Sequence, residues 1–412
     1  MSLLDRCRFC LTPLKYSFCD LGMSPLSNAF VSEEQLSAAE LYLPLQAFVC
    51  HECFLVQISQ YETPQKIFSN YGYFSSYSDT WIAHAQQFVR DVSSRFGIGP
   101  ESQVIEIASN DGYLLRFFRD LGVPVLGIEP ASNVAQAAQA IGIPTLVRFF
   151  DRSAAEDLLS QGIRANLLIG NNVLAHIPGL NEFVQGMKLC LTERGVISME
   201  FPHLYQLIQR REFDTIYHEH FSYFSLGTVD RIFKHHGLKI FDAEELPTHG
   251  GSLRIFACHS EDKAREETGS VQSIIAAETD HGLRELDTYR RFNEVVQRVK
   301  WQLLEFLITA KNQGKRIVGY GAPAKSTTLL NYCGIGPDFL EYTVDRNPFK
   351  QGMYLPGTHI PVRHPRLIRE TKPDYLLILA WNLKSEVMRQ MECIQEWGGQ
   401  FVIPVPEVEV IP

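Results

Sequence analysis

Two Cys-x-x-Cys pairs, Cys7/Cys10 and Cys50/Cys53, constrain this chain more than anything else in it. The two-residue gap lets both thiolates of a pair face one ion. Two such pairs close a tetrahedral shell of four soft ligands, which is the chemistry of a structural Zn²⁺ site and not of a catalytic one. The 39 residues between the pairs exceed the usual zinc-ribbon spacing, so a small subdomain must fold there. Cys19 and His51 are spare ligands if one of the four is misassigned. Buried free thiols and a redox pair are the competing readings. The N-terminus lacks a basic-then-apolar signal segment, so reduced thiols or metal ligands are expected in place of disulfides, together with a cytoplasmic location.

At 412 residues the chain should hold two or three domains of ~100–200 residues each. Lys+Arg 38 against Asp+Glu 47 gives −9, which argues against a nucleic-acid or anionic-membrane surface. No apolar run approaches the ~20 residues of a membrane span. From residue 101 the pattern alternates strand and helix, with strands at Val104–Ile107, at VPVLGIE ending on Glu129, and at Leu167–Gly170. This βαβ alternation implies a parallel, doubly wound sheet with ligands at the carboxyl ends of its strands. The first turn, Glu106 to Gly112, carries one glycine, which suits a cofactor without a phosphate better than a dinucleotide. Glu129 is placed to bond a ribose diol. Acidic first strand, tight turn and acidic second strand look like the S-adenosylmethionine site of class I methyltransferases. NAD is the alternative, and each acid could also be an ordinary solvated strand end.

The densest polar cluster is FDTIYHEHFSYFS at 213–225, which sets Tyr217, His218, Glu219, His220 and Tyr223 among aromatic residues. Histidine is the side chain most easily tuned to take a proton near neutrality, and a neighbouring carboxylate or phenol can orient it. A general base, a metal pair His218/His220 and satisfied structural histidines compete. The segment SNYGYFSSYSDTW at 69–81, with Tyr71 and Tyr73, reads as a hydroxyl-bearing pocket wall or as packing between domains.

Residues 264–313 show helical periodicity, and KRIVGYGAPAKSTTLLNYCG then gives strand, glycine turn and helix a second time. Gly319-x-Gly321-x-x-Ala324 fits a phosphate-binding turn, Asp345 closes the next strand, and Lys325 sits where a helix start favours an anion. The turn alone does not separate NAD, a sugar nucleotide or an unliganded scaffold.

With these residues placed, the chain resembles the three-domain sugar C-methyltransferases. The four cysteines, the Y-H-E-H-F-S-Y run, H-G-G-S-L-R and G-Y-G-A-P-A-K carry that resemblance, which covers essentially the whole chain. It implies an α/β chain with a small zinc-binding domain over 1–65, a class I methyltransferase Rossmann-like domain over 66–260, and a second Rossmann-like α/β domain over 261–412. It implies methylation of carbon 3 of a nucleotide-linked 4-keto-deoxysugar, with S-adenosylmethionine and structural Zn²⁺ as cofactors. A base removes the hydrogen that the ketone acidifies, and the enolate attacks the methyl group. His220 would be the base, tuned or oriented by Tyr217 and Glu219, with His176 and Tyr71 at the sugar or the enolate oxygen. Tyr73 would be a neighbour of the same kind. A regular strand would put Tyr217 and Glu219 on the face opposite His220, so this segment must bend. Glu106, Ala108, Asn110, Gly112 and Glu129 would hold the donor, with Asn171 or Asn172 near its methionine end. Ala108 and Asn110 depart from the glycines usual there. His249, Arg254 and Lys325 would meet the nucleotide diphosphate. The remaining alternatives are an NAD-dependent sugar-nucleotide dehydrogenase or epimerase and a non-catalytic zinc-containing binding protein. Neither the sugar nor the oligomeric state is legible.

Overall fold

The structure, a computed structural model, describes residues 5–68 and 74–412. Strands β1 (Tyr16–Pro25), β2 (Tyr42–Val49) and β3 (Val56–Ile58) lie between or just after the cysteine pairs. The central strands are β4 (Val104–Ile107), β5 (Val125–Ile128), β6 (Thr145–Leu146), β7 (Ala165–Asn171) and β8 (Leu191–Pro202). A two-residue strand β9 (Ser222–Tyr223) and the hairpin β10 (Leu238–Leu246)–β11 (Ser252–His259) follow. The last set is β12 (Ile317–Tyr320), β13 (Thr343–Val344), β14 (Val362–Arg363), β15 (Tyr375–Ile378), β16 (Gln400–Ile403) and β17 (Glu409–Ile411).

They form three sheets. The first runs β1-β2-β3-β9 and is antiparallel. The second runs β10-β11-β8-β7-β4-β5-β6, parallel from β8 to β6 and closed by the antiparallel hairpin. The third runs β14-β13-β12-β15-β16-β17, parallel except for its last pair. The apolar runs read as buried strands are buried because helices cover both faces of a parallel sheet. In the second sheet the order reverses between β4 and β7, which opens a crevice beyond their carboxyl ends.

The helix Asp79–Phe96 shows how sequence period builds this layer. Ala85, Phe88, Val89 and Val92 fall on one stripe and pack in the core under the sheet. Ser78 caps its start by accepting from Trp81 N–H, so the first turn presents Trp81 at the crevice. A second core joins the inner face of β1–β3 (Phe18, Leu45, Val49) to the helix Phe292–Asn312 and the third sheet. No helix among the described residues is long and apolar enough to cross a membrane.

Candidate active site

The four cysteines converge. Cys7 and Cys53 Sγ are 3.5 Å apart, Cys10 and Cys50 3.5 Å, and Cys10 and Cys53 3.6 Å. A tetrahedron of Zn–S bonds of ~2.3 Å needs edges of ~3.8 Å, so the thiols fit a zinc ion. Each pair ends in the same backbone device: Leu11 N–H returns to Cys7 C=O and Phe54 N–H to Cys50 C=O, with Leu11 and Phe54 in the left-handed region. Among the described residues these four are the one ligand set of three or more groups. Cys19 instead packs in β1, and His51 lies edge-on to Tyr16.

A cavity of about 640 Å³ occupies the crevice beyond β4 and β7 and extends to the third sheet. Ala108, Asn110, Glu129, Asn171, Asn172, His176, Tyr217, Glu219, His220, His249 and Lys325 all line it. Ala108 and Asn110, at φ 54° and 51°, take the left-handed backbone that glycine would adopt. Glu129 Oε2 accepts from Asn110 N–H (3.0 Å) and Oε1 from Ala131 N–H (2.8 Å), and both oxygens keep a further lone pair. Glu106 lies beneath, fully buried, with Oε2 unpartnered and its pKa raised by burial and by Asp111 and Glu129. Gly112 (φ 77°) closes the turn where a Cβ would meet Ile143. Asn171 Oδ1 is buried without a partner. Trp81, the last residue of the 69–81 segment read as a pocket wall, lines the cavity, and Phe149, Phe150 and Tyr113 add aromatic surface that the sequence did not single out. These features suit a nucleoside-bearing cofactor without a pyrophosphate.

Across the cavity the 216–221 segment does bend. His220 N–H donates to Tyr217 C=O (3.0 Å), a tight turn that brings Tyr217, Glu219 and His220 to one wall. His220 Nδ1–H donates to Thr215 C=O (3.0 Å), which leaves Nε2 to accept from Tyr217 O–H at 2.7 Å. His176 Nδ1–H donates to Glu219 C=O (2.8 Å), and its ring lies 4.8 Å from that of His220. Burial holds His176 down to about 4, and burial above all holds His220 well below its ordinary value. Both rings are therefore neutral at pH 7. Burial pushes Glu219 up to about 7, while Asn28 Nδ2 donates to its Oε1 (2.7 Å). His218 turns away and donates to Pro44 C=O (3.2 Å), so it does not pair with His220.

Tyr71 and Tyr73 lie outside the described residues. Arg254 is not at the cavity: in the β8–β11 register it stands opposite Glu200, and its Nη2 donates to Glu200 Oε2 (2.7 Å). Against the cost of burial, the His84 hydrogen bond and the Arg254 charge hold Glu200 at about 2. Thr248 Oγ1 donates to Glu200 Oε1 (2.9 Å), so this network holds the backbone beside His249. Gly250 follows, where a Cβ would stand 2.5 Å from Glu212 Oε1. Lys350, overlooked in the sequence, lines the cavity beside Asn347 and Phe349 and donates to Ala322 C=O (2.8 Å). Asp345 accepts from Ala322 N–H and Asn347 N–H (both 2.8 Å), so its carboxylate braces the glycine turn, and it is not among the residues that line the cavity.

Three family models tile the chain: a zinc binding domain over residues 7–68, a methyltransferase domain over 81–243, and a C-methyltransferase C-terminal domain over 247–406. The chain is 34% identical over 408 residues to the C-methyltransferase NovU of Streptomyces niveus, covering 99% of this chain and 97% of that one. Among solved structures, magnesium protoporphyrin IX methyltransferase from Synechocystis with bound S-adenosylmethionine matches 44% of this chain and 82% of its own, at 16% identity and TM-score 0.34. An S-adenosylmethionine-dependent methyltransferase from Clostridium acetobutylicum matches 43% and 92%, at 12% identity and TM-score 0.35. Those two likenesses cover less than half of the chain.

Proposed function

The chain belongs to the C-methyltransferase family and is an S-adenosylmethionine-dependent C-methyltransferase with a zinc-binding domain, and from that premise we propose that its acceptor is a nucleotide-linked 4-keto-deoxysugar, methylated at carbon 3 through an enolate. One observation carries this reading: a neutral imidazole with its tautomer fixed by Thr215 faces the same cavity as the donor residues of β4 and β5. A hydrogen alpha to a ketone must be removed before that carbon can attack a methyl group, and a neutral imidazole is a side chain that can take it.

Bound at β4, β5 and β7, S-adenosylmethionine supplies an electrophilic methyl group. Glu129 would hold the ribose hydroxyls on its remaining lone pairs, Ala108, Asn110 and Gly112 would let the cofactor approach the backbone, and Asn171 or Asn172 would meet its methionine end. Glu106, its pKa raised chiefly by burial, would support the turn from below. His220 Nε2 takes the carbon 3 proton, directly or through the Tyr217 hydroxyl bonded to it. Glu219 and His176 set the turn, since the Glu219 carbonyl accepts from His176 and its carboxyl from Asn28. The aromatic walls exclude water from the carbanion. His249, Lys350 and the third sheet would receive the nucleotide part. Parts 1–65, 66–260 and 261–412 would thus serve as zinc clamp, donor site and acceptor site.

Calorimetric titration with S-adenosylhomocysteine tests the donor half. Micromolar binding by the wild type and a loss of at least about tenfold in Glu129→Ala are expected, from charged hydrogen bonds of ~1.5–3 kcal/mol. Equal affinity in both proteins would remove Glu129 from the site.

A further inference from the structure

We propose that Lys325 is a catalytic residue whose ammonium, held between Asn382 and the Trp381 ring in the cavity wall, stabilises the enolate oxygen as the carbon 3 proton leaves. This rests on the keto-sugar reading above. Lys325 Nζ donates to Asn382 Oδ1 (2.8 Å) and stands 4.1 Å from the Trp381 ring centroid. An ammonium has three donors, so this bond leaves others for a ligand in the cavity that Lys325 lines with Tyr217, His220 and His249.

The lysine and the base ride on one unit. Lys325 begins the helix Ala324–Cys333, from which Thr328 Oγ1 donates to Ile216 C=O (3.0 Å), the residue before Tyr217. Trp381 Nε1 donates to Asp214 Oδ2 (2.7 Å) in the same segment. The other carboxyl oxygens here, Asp214 Oδ1 and Glu212 Oε1, are buried without a partner. Burial pushes Glu212 up to about 8 and Asp214 up to about 6 while Lys325 draws each down, and burial lowers the Lys325 pKa while these two acids raise it. Burial lowers the His220 pKa most, and the Lys325 charge is a smaller cause that lowers it further.

Two half-buried lysines thus line different parts of the cavity. Lys350 stands over Phe30 beside Asn347 and Phe349, where the carboxyl ends of the third sheet would meet a diphosphate. Lys325 is left for the ketone. As His220 takes the proton, the C3–H pair becomes the C3–C4 double bond and the carbonyl π pair moves onto the oxygen, opposite Lys325. In the second step that pair re-forms the carbonyl, carbon 3 bonds to the methyl carbon, and the S–C pair returns to sulfur.

Exchange of the carbon 3 hydrogen in D2O, with S-adenosylhomocysteine in place of the donor, isolates the first step. The probes are thymidine diphosphate 4-keto-6-deoxyglucose and its guanosine counterpart, with calorimetry on the matching nucleoside diphosphates. Lys325→Met is expected to slow exchange at saturating probe by about 100-fold or more and to change nucleoside diphosphate affinity by less than about threefold. Exchange at the wild-type rate, or diphosphate affinity reduced about tenfold with exchange retained, would make Lys325 a diphosphate ligand and overturn the proposal. Should Lys325→Met fail to bind S-adenosylhomocysteine, the same comparison is read on Lys325→Gln. A wild type that exchanges neither probe refutes the keto-sugar reading itself, and the role of the lysine falls with it.

Discussion

Ala108, Asn110, Asn172 and His249 all hold φ between 51° and 55°, and all four line the cavity. Each costs of order 1–3 kcal/mol, and such strain persists only where the surroundings dictate it. Asn110 shows how: its Oδ1 accepts from Ser75 N–H (2.8 Å), so the residue that replaces a glycine also ties the 74–77 segment to the donor turn. The sequence made the two departures from glycine visible, but not the backbone they keep. Glu219 offers the clearest test at this scale. Its folded pKa of about 7 lies above the ordinary 4.5, so the native state holds this proton more tightly than the unfolded chain does. Its unfavourable contribution is therefore absent below about pH 4.5, grows as pH rises, and is complete above about 7. Glu219→Gln removes it. In urea titrations between pH 4 and 8, the stability of the variant relative to wild type should rise with pH by up to about 3 kcal/mol. A flat difference would mean that Glu219 is ionised at no cost.

The bend at Tyr217–His220 is required by the proposed chemistry, since a regular strand would put Tyr217 and Glu219 on the face opposite His220. Its supports were not legible, because they come from remote elements. Arg8, inside the first cysteine pair, donates through Nη1 to Phe221 C=O (2.7 Å) and through Nη2 to Ile58 C=O (2.6 Å). β9 then pairs with β3. The metal knuckle thus grips the backbone one residue beyond His220. Chelation of zinc, or Cys10→Ser, should lower kcat by about tenfold or more, because an ångström of misplacement can cost ~100-fold. S-adenosylhomocysteine affinity, which depends on β4 and β5, should change far less. Metal analysis should give one zinc per chain, lost in step with kcat. Arg254 was misread for a related reason: it is near His249 in sequence, but strand alternation and the register with Glu200 commit its side chain to a cross-strand ion pair.

Over the whole molecule, the Tyr217–His220 turn is the point where the three sheets meet. The turns flanking the first sheet hold it through Arg8 and Asn28, the second sheet carries the donor turn opposite, and the helix after β12 clamps it through Thr328 to Ile216. The parallel sheets were legible because buried strands read as apolar runs, whereas their mutual packing was not, because the bonds involved join residues more than 100 apart. Thr328→Val leaves Ile216 C=O without that donor and should cost about 1 kcal/mol of stability and several-fold in kcat, with donor affinity unchanged. Equal kcat would show that the third sheet does not shape the turn. The central claim, methyl transfer to carbon 3 through an enolate taken by His220, is tested most directly by product NMR. The wild type and His220→Ala are incubated with 13C-methyl S-adenosylmethionine and thymidine or guanosine diphosphate 4-keto-6-deoxyglucose. The account predicts a labelled methyl coupled to the carbon 3 nucleus in the wild type and at least about a 100-fold slower appearance in the variant. A label on oxygen, or equal rates in the two proteins, would contradict it.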